Sequence, residues 1–425
     1  MASILIQGGR LIDPSTGEDR IGDLYIHDGC IAPLPRLVPA EASIVKAQGL
    51  TVVPGFIDLH VHLREPGGEA AETILTGSQA AARGGFVTVV AMPNTQPPLD
   101  TPERVAWVKE QGDKVGLINV LPSGCLTRNR DGFEPADLAG MAAAGAAAFT
   151  DDGTTVADEN TLREVMRQAA KLDRVVMDHA HDRELEKKGV MHEGAYSRRH
   201  GLPGIPSIAE SRVVERDIAM AAETGCRLHI QHVSARESVE AIRKAIRAGL
   251  RVSGELTPHH LALTDADVDP QDARYKMNPP LRSEEDRQSL IEAIVDGTLE
   301  VFATDHAPHT KEAKAKGFLL APFGIVGLET AIGVTFTALV ASGRMDLLTW
   351  VRRWTTGPAR ILGLPAPSLR PGAPAHITLL DLETAWVVDP AQFASRSRNT
   401  PFEGKKLVGK AVRIWTSGRE FTRAT

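Results

Sequence analysis

The 425-residue chain has only three cysteines, Cys30, Cys125 and Cys226, an odd number spread far apart. That excludes a disulfide scaffold as the basis of the fold and points to a reducing compartment, the cytoplasm. No window approaches the ~18 consecutive apolar residues of a membrane span. The longest small-apolar run, MAAAGAAAF at 141–149, is short and interrupted by glycine. The opening MASILIQGGR has no basic stretch ahead of a long apolar core, so no signal peptide is expected. No Lys/Arg block occurs, and 48 basic residues face 54 acidic ones for a net charge of −6, so a nucleic-acid partner is not expected. Motifs for nucleophilic and nucleotide chemistry are missing too. There is no G-x-S-x-G elbow, no P-loop and no strand-coupled G-x-G-x-x-G, and the cysteines lack an obvious His/Asn setting. Chemistry in this chain should therefore be metal-assisted.

The composition, 42% hydrophobic and 24% charged, is that of a folded globular protein with ample material for a core. Its two ends read alike. Residues 1–53 contain β-rich runs, SILIQGGRLID, DLYIHDG and ASIVKAQGLTVVPG, separated by Gly, Asp and Pro, with no helix among them. Residues 363–425 offer PAHITLLDL, AWVVD and LVGKAVRIWTSGREF. The termini are expected to pack together as one small sheet domain.

Between them, residues 54–362 alternate. Eight β-like runs, GFIDLHVHL, FVTVVAM, GLINVLPSG, AAAFTDD, RVVMDHA, RLHIQHVS, RVSGELTPHH and EVFATDHA, are each followed by a segment of helical spacing. This is the pattern of parallel βα units. The count and the size, near the ~250 residues typical of a closed barrel, favour an α/β fold of (β/α)8 type over an open doubly wound sheet. The longest irregular stretch, 182–207, is expected to be a loop excursion.

The chemistry concentrates at the ends of these runs, where barrel enzymes carry their catalytic groups. In GFIDLHVHLREPG, His60 and His62 are two apart on an expected strand, and so face one side, with Asp58 and Arg64 in the same parity. A pair of imidazoles aimed into one space is half a zinc site. His179, His232 and Asp305 end the fifth, sixth and eighth runs, and Asp151 and Asp152 end the fourth. Neutral His and ionised Asp are the ligands zinc takes when no thiolate is offered. His229 lies earlier in its strand and reads as a packing residue. His181 and His306 read as partners that orient ligands, and His259 and His260 as loop-shaping residues.

GFIDLHVHLREPG and ATDHAPHTKEAK, together with MPNT, TDD, GLPGIP, ELTPHH and MNPPLR, closely resemble dihydroorotases of the type I bacterial group, within the amidohydrolase superfamily. The resemblance spans nearly the whole chain. It implies a distorted (β/α)8 barrel with a small β-sandwich built from both termini. It further implies two zinc ions held by His60, His62, Asp152, His179, His232 and Asp305, with Asp152 rather than Asp151 as the bridge. Substrate contacts would fall on Arg64, Asn94, Asn278 and His309, with backbone contacts near Phe323 and Gly324. The implied reaction is the reversible cyclisation of N-carbamoyl-L-aspartate to L-dihydroorotate, in which a metal-bound hydroxide attacks the ring amide and Asp305 serves as general base and then acid. A homodimer and an association with aspartate transcarbamoylase are the partners it suggests.

Two other readings compete. Hydantoinases and allantoinases resemble this chain in the His pair, but usually bridge their metals with a carboxylated lysine and lack the carboxylate clamp. No lysine occurs here between Lys114 and Lys171, across the third and fourth strands. A non-catalytic scaffold would not need six aligned ligands. Residues 310–322, TKEAKAKGFLLAP, mix charges, a glycine and apolar residues after the last strand, and are expected to form a lid over the site.

Overall fold

The structure is a computed structural model that describes residues 3–422. In chain order the strands are β1 Ser3–Asp13, β2 Glu18–His27, β3 Cys30–Ala32, β4 Ser43–Lys46 and β5 Thr51–Pro54, then β6 Phe56–Val61, β7 Phe86–Ala91, β8 Asn119–Pro122, β9 Ala148–Phe149 and β10 Val175–Asp178. There follow β11 Met191–His192, β12 Gly204–Ile205, β13 Arg227–Ile230, β14 Val252–Leu256, β15 Val301–Phe302, β16 Ile377–Val387, β17 Lys406–Thr416 and β18 Arg419–Thr422.

Both ends of the chain share one eight-stranded sheet, ordered β18-β17-β16-β5-β1-β2-β3 with β4 beside β1. It is mixed: β1 pairs in parallel with β4 and β5, and antiparallel with β2. Its own core gathers Ile6, Leu11, Ile26, Val52, Ile377 and Trp415. The two C-terminal runs PAHITLLDL and AWVVD form a single strand, β16, whose register to β17 slips between Leu379 and Leu380 and again between Asp381 and Ala385. The last run divides instead into β17 and β18, because Ser417 and Gly418 both take positive φ and turn the chain.

The middle of the chain is parallel throughout its larger sheets. One sheet runs β6-β7-β8 and another β15-β14-β13-β10-β9. Isolated parallel bridges, Gly124 to Phe149 and Val61 to His306, connect the two at both margins, the latter with a His62 N–H to His306 carbonyl bond of 2.8 Å. All eight expected runs therefore supply a strand, and pairing passes around them in cyclic order. Helices between them are capped as the sequence invites. Thr73 opens helix Ile74–Gly84 with a capping box, and Asp158 and Ser283 cap helices Glu159–Lys171 and Glu284–Asp296. Phe56 and Phe86, at the first positions of β6 and β7, meet Trp350 and Trp354 of helix Leu347–Trp354 at ring distances of 5.2–6.2 Å. This aromatic packing lies at the strand starts, the end opposite the ligand-type residues.

The stretch 182–207 is not irregular. It holds helices Arg183–Glu186 and Ala195–His200 and the small parallel pair β11–β12. These elements are two to six residues long, too short for hydrophobic periodicity to reveal them.

Candidate active site and metal centre

The residues singled out in the sequence converge just past the strand ends. His62, Arg64, Asn94, Asp152, His179, His232, Asn278, Asp305, His309, Phe323 and Gly324 all line one cavity of about 200 Å³, and His60 lies fully buried beneath it. Three of these side chains are aimed by left-handed backbone: Arg64 at φ 58°, His232 at 30° and Asp305 at 46°. Non-glycine residues hold such φ only where the surroundings enforce it, and functional sites are where that occurs. Arg64 thus reaches the cavity by a turn beyond β6, not by strand alternation. The register of β6 to β7 also slips between Asp58 and Val61, so parity holds only loosely here.

His60 Nε2 lies 3.2 Å from Asp152 Oδ1 and 3.5 Å from Asp305 Oδ1. His62 Nε2 lies 3.1 Å from Asp305 Oδ1 and 3.6 Å from Asp152 Oδ2, and His179 Nδ1 lies 3.7 Å from Asp152 Oδ1. The rings of His232 and His60 are 5.1 Å apart, and those of His232 and His179 are 4.4 Å apart. Two overlapping groups have ligand atoms mutually close enough to hold an ion, His60, Asp152 and His232, and His60, His62 and Asp305, and both draw on His60. His179 sits beside the first group without joining it. Four buried atoms here, His60 Nε2, His179 Nε2, His232 Nδ1 and Asp152 Oδ1, have no hydrogen-bond partner. Buried polar atoms are rarely left so, and a cation held by the first group would give those of His60 and Asp152 a partner.

The electrostatics point the same way. Burial opposes charge on His60, yet Asp152, Asp305 and Glu255 overcome it and lift its pKa well above the usual value. Burial likewise opposes ionisation of Asp152, but the fields of His60 and His62 hold it well below the carboxylate range. His62 and His232 are pushed down, chiefly by burial, and so stay neutral as metal ligands must. The result is a buried pocket with an anionic Asp152, a His60 that holds its proton against burial, and lone pairs available on His62 and His232.

Asp151 and Asp152 have separate tasks. The Asp151 carboxylate accepts from the N–H groups of Leu126 and Thr127, at 2.8 and 3.1 Å, and from the Thr127 hydroxyl. It fixes the loop after β8. Asp152 faces the histidines, and Asn94 Nδ2 donates to its Oδ2 at 2.9 Å. Asn94 Oδ1 in turn accepts from His62 Nδ1 at 2.9 Å, which leaves His62 Nε2 to face the cluster.

Around the site stand three acids that were not singled out in the sequence, Glu255, Glu72 and Glu186, together with residues that were. Glu255 is buried between His60 Nδ1, at 2.8 Å, and His229 Nε2, at 3.0 Å, and also accepts the His232 N–H at 3.0 Å. Burial works against its charge, but His60 and His229 hold its pKa down at about 2. His229 is thus a packing residue that also pins Glu255. Asp58 accepts from the N–H groups of His60 and Thr304, tying β6 to the segment after β15. His306 Nε2 donates to the buried Glu72 at 3.2 Å, and His181 Nδ1 lies 2.7 Å from Glu186, with Asn278 in long contact with both. His260 is held between Thr257 and the Pro279 carbonyl, away from the cluster.

In the same cavity, Arg64 Nε donates to the Pro308 carbonyl at 3.1 Å, and among the described residues no carboxylate lies within ion-pair distance of it. His309 Nε2 donates to the Phe323 carbonyl at 2.6 Å. Burial, reinforced by Arg64, lowers the His309 pKa to about 3, so its ring is neutral. A guanidinium without a carboxylate partner, in the same cavity as the His/Asp cluster, suits a substrate with a carboxylate at one end and a polarisable carbonyl at the other.

Comparison with known proteins agrees with this geometry. A family described as Dihydro-orotase-like matches residues 49–238. A dihydroorotase of Halalkalibacterium halodurans is 46% identical, with 98% of this chain and 97% of the relative covered. One from Pelotomaculum thermopropionicum is 49% identical, and one from Bacillus subtilis 44%, each with the same coverage. Among solved structures, L-hydantoinase from Arthrobacter aurescens superposes with a TM-score of 0.87 at 26% identity, covering 100% of this chain and 96% of its own. D-hydantoinase from a Thermus species superposes at 0.84 with 22% identity, covering 99% and 95%, a likeness of fold alone. No helix among the described residues is long and apolar enough to cross a membrane.

Proposed function

The chain belongs to the dihydroorotase family, and on that premise we propose how its own residues divide the work. The reaction is the reversible cyclisation of N-carbamoyl-L-aspartate to L-dihydroorotate in pyrimidine synthesis, and the enzyme class is cyclic amide hydrolase. The observation that carries the reading is that one small cavity is lined both by the His/Asp cluster and by Arg64, which has no carboxylate partner among the described residues.

His60, His62, Asp152, His179, His232 and Asp305 would hold two zinc ions, with Asp152 standing among His60, His62 and His179. Bound there, the metals would polarise the ring carbonyl and acidify a water to near neutral pH. Asp305, within 3.1 Å of His62 Nε2, takes the proton from the attacking water and returns it to the ring nitrogen as the amide bond breaks. In the cyclising direction it takes the proton from the ureido nitrogen. Arg64 binds the substrate carboxylate with its planar fork. Asn94, Asn278, His309 and the backbone at Phe323 and Gly324 complete the cradle, and segment 310–322 closes over it.

The same reading extends to the architecture. The cyclic order of parallel strands supports a (β/α)8 barrel over 54–362, and the shared terminal sheet supports one domain built from 1–53 with 363–425, which this reading takes as the β-sandwich. Location in the cytoplasm, a homodimer and association with aspartate transcarbamoylase belong to it as well. Light scattering of the purified protein, alone and mixed with aspartate transcarbamoylase, checks the last two.

The deciding experiment assays the zinc-loaded protein against L-dihydroorotate, hydantoin and allantoin. Turnover of dihydroorotate well above the other two is expected. Preference for hydantoin would sink the reading in favour of the hydantoinase one, and no turnover of any would favour the scaffold.

A further inference from the structure

Among the described residues only two lysines are buried, Lys276 and Lys314, and they lie together behind the cavity wall. Neither has a carboxylate within ion-pair distance among those residues. Ammonium groups withdrawn from water need other acceptors, and here these are main-chain carbonyls. Lys314 Nζ donates to the Lys276 carbonyl at 3.1 Å and to the Pro322 carbonyl at 2.9 Å. Lys276 Nζ donates to the Leu319 carbonyl at 3.1 Å and stands 4.6 Å over the Phe323 ring.

The two segments so joined are the ones that face the substrate. Lys276 precedes Asn278 by two residues, and Pro322 immediately precedes Phe323 and Gly324. The Lys276 carbonyl also accepts the Gly324 N–H at 3.0 Å. The wall has no slack. Gly324 has φ 127°, and a Cβ there would lie 2.7 Å from the Ala307 Cβ and 3.1 Å from His309 Nε2. The Phe323 carbonyl fixes His309, whose Nε2 lies 3.4 Å from Arg64 Nη2. A displacement of the 322–324 backbone would therefore pass directly to the carboxylate-binding end of the cavity.

We propose that Lys314 is a positioning residue for substrate recognition: its ammonium staples the segment leading to Asn278 onto the segment carrying Phe323 and Gly324, and so sets the wall that holds the substrate's carboxylate end. The proposal rests on the dihydroorotase reading above. The staple acts on the part of the substrate that does not react, so it strengthens ground-state and transition-state binding alike and bears on KM more than on kcat.

A second consequence concerns pH. Burial, then Lys276 and more weakly Arg64, lower the Lys314 pKa to about 7, with Asp272 pulling the other way. The other ionisable ring at this wall, His309, is already neutral. As pH rises through neutrality the ammonium loses its charge, and its two bonds lose their charge-assisted strength.

The test is steady-state hydrolysis of L-dihydroorotate by the full-length, zinc-loaded protein from about pH 6 to about pH 9, for the wild type, Lys314→Met and Lys314→Arg. Lys314→Met should raise KM about tenfold at the acid end, with kcat within about twofold. The wild-type KM should climb several-fold across neutrality, and Lys314→Arg, which cannot lose its proton there, should abolish that climb. A wild-type KM in Lys314→Met, or a loss confined to kcat, overturns the proposal. Should the methionine variant not fold, a flat wild-type KM profile, or a climb retained in Lys314→Arg, overturns it equally. A wild type that does not turn over dihydroorotate at all would overturn the functional reading instead.

Discussion

Oδ1 of Asp305 is shared: it lies 3.1 Å from Nε2 of His62 and 3.5 Å from Nε2 of His60. The residue proposed to move the proton therefore stands among the residues proposed to hold the metal, so loss of either function should take the other with it. Removing metal by chelation should abolish dihydroorotate hydrolysis, and zinc should restore it. Asp305→Asn, which keeps the shape but neither the charge nor the basicity, should lower kcat by at least ~10²-fold, the lower range for losing a general base. Full activity in a sample shown by atomic absorption to be metal-free would remove the metal from the account.

Glu255 governs His60 from behind. By accepting from Nδ1 it fixes the tautomer in which Nε2 is free to face the cluster. Partners of this kind are typically worth ~10–100-fold in metal affinity. Glu255→Ala should weaken metal binding by that order, and Glu255→Gln by less, since one oxygen can still accept from His60. Competition with a chromogenic chelator measures both. Equal affinities in the wild type and Glu255→Ala would show that His60 needs no such partner.

What could be read from the sequence follows from how the information is stored. His60, His62, His179, His232 and Asp305 were legible because each ends a β-like run, and strand ends are where a parallel α/β fold gathers its chemistry. Glu255 also ends such a run, but a single glutamate beside a Thr-Pro turn looks like any surface acid; only its position between His60 and His229 reveals its task. Arg64 was found for an incomplete reason, since a turn with positive φ, rather than strand parity, brings it in. Lys314 lies in a stretch of charged residues that reads as solvent-exposed, and its burial depends on the distant Lys276. The small elements of 182–207 were missed because two-residue strands have no period to detect.

Arg64 should report on binding. Among the described residues no acid neutralises it, so a bound carboxylate would be its first strong partner. Arg64→Met removes that partner but leaves the cluster untouched, and should raise KM by ~10–100-fold with metal content unchanged, within the range for hydrogen bonds to a charged group. A variant with unchanged KM would show that the substrate carboxylate is held elsewhere.

The lid is open to a direct check. Segment 310–322 buries Lys314, Phe318 and Ala321 and is tied by Lys276 at the Leu319 carbonyl, but it leaves the Leu319 and Leu320 side chains exposed, with room to pack more tightly when substrate is bound. Limited proteolysis in this stretch should slow when dihydroorotate is added. Equal cleavage rates with and without it would make the segment a plain surface loop.

The pair Asp151-Asp152 allows the sharpest separation. Asp151 is occupied by Leu126 and Thr127, so Asp151→Ala strands two buried N–H groups and should cost ~1–3 kcal/mol of stability, read as a lower melting temperature. Asp152 meets His60, His62 and His179 instead, so Asp152→Ala should cost metal content first. Because an aspartate is already anionic at neutral pH whereas a lysine must first be carboxylated, metal-free protein should regain activity with zinc in bicarbonate-free buffer. A requirement for bicarbonate would mean that the bridge is not Asp152. Greater metal loss in Asp151→Ala than in Asp152→Ala would move the bridging role by one residue, and then the bonds from Leu126 and Thr127 would have to break for the metals to bind.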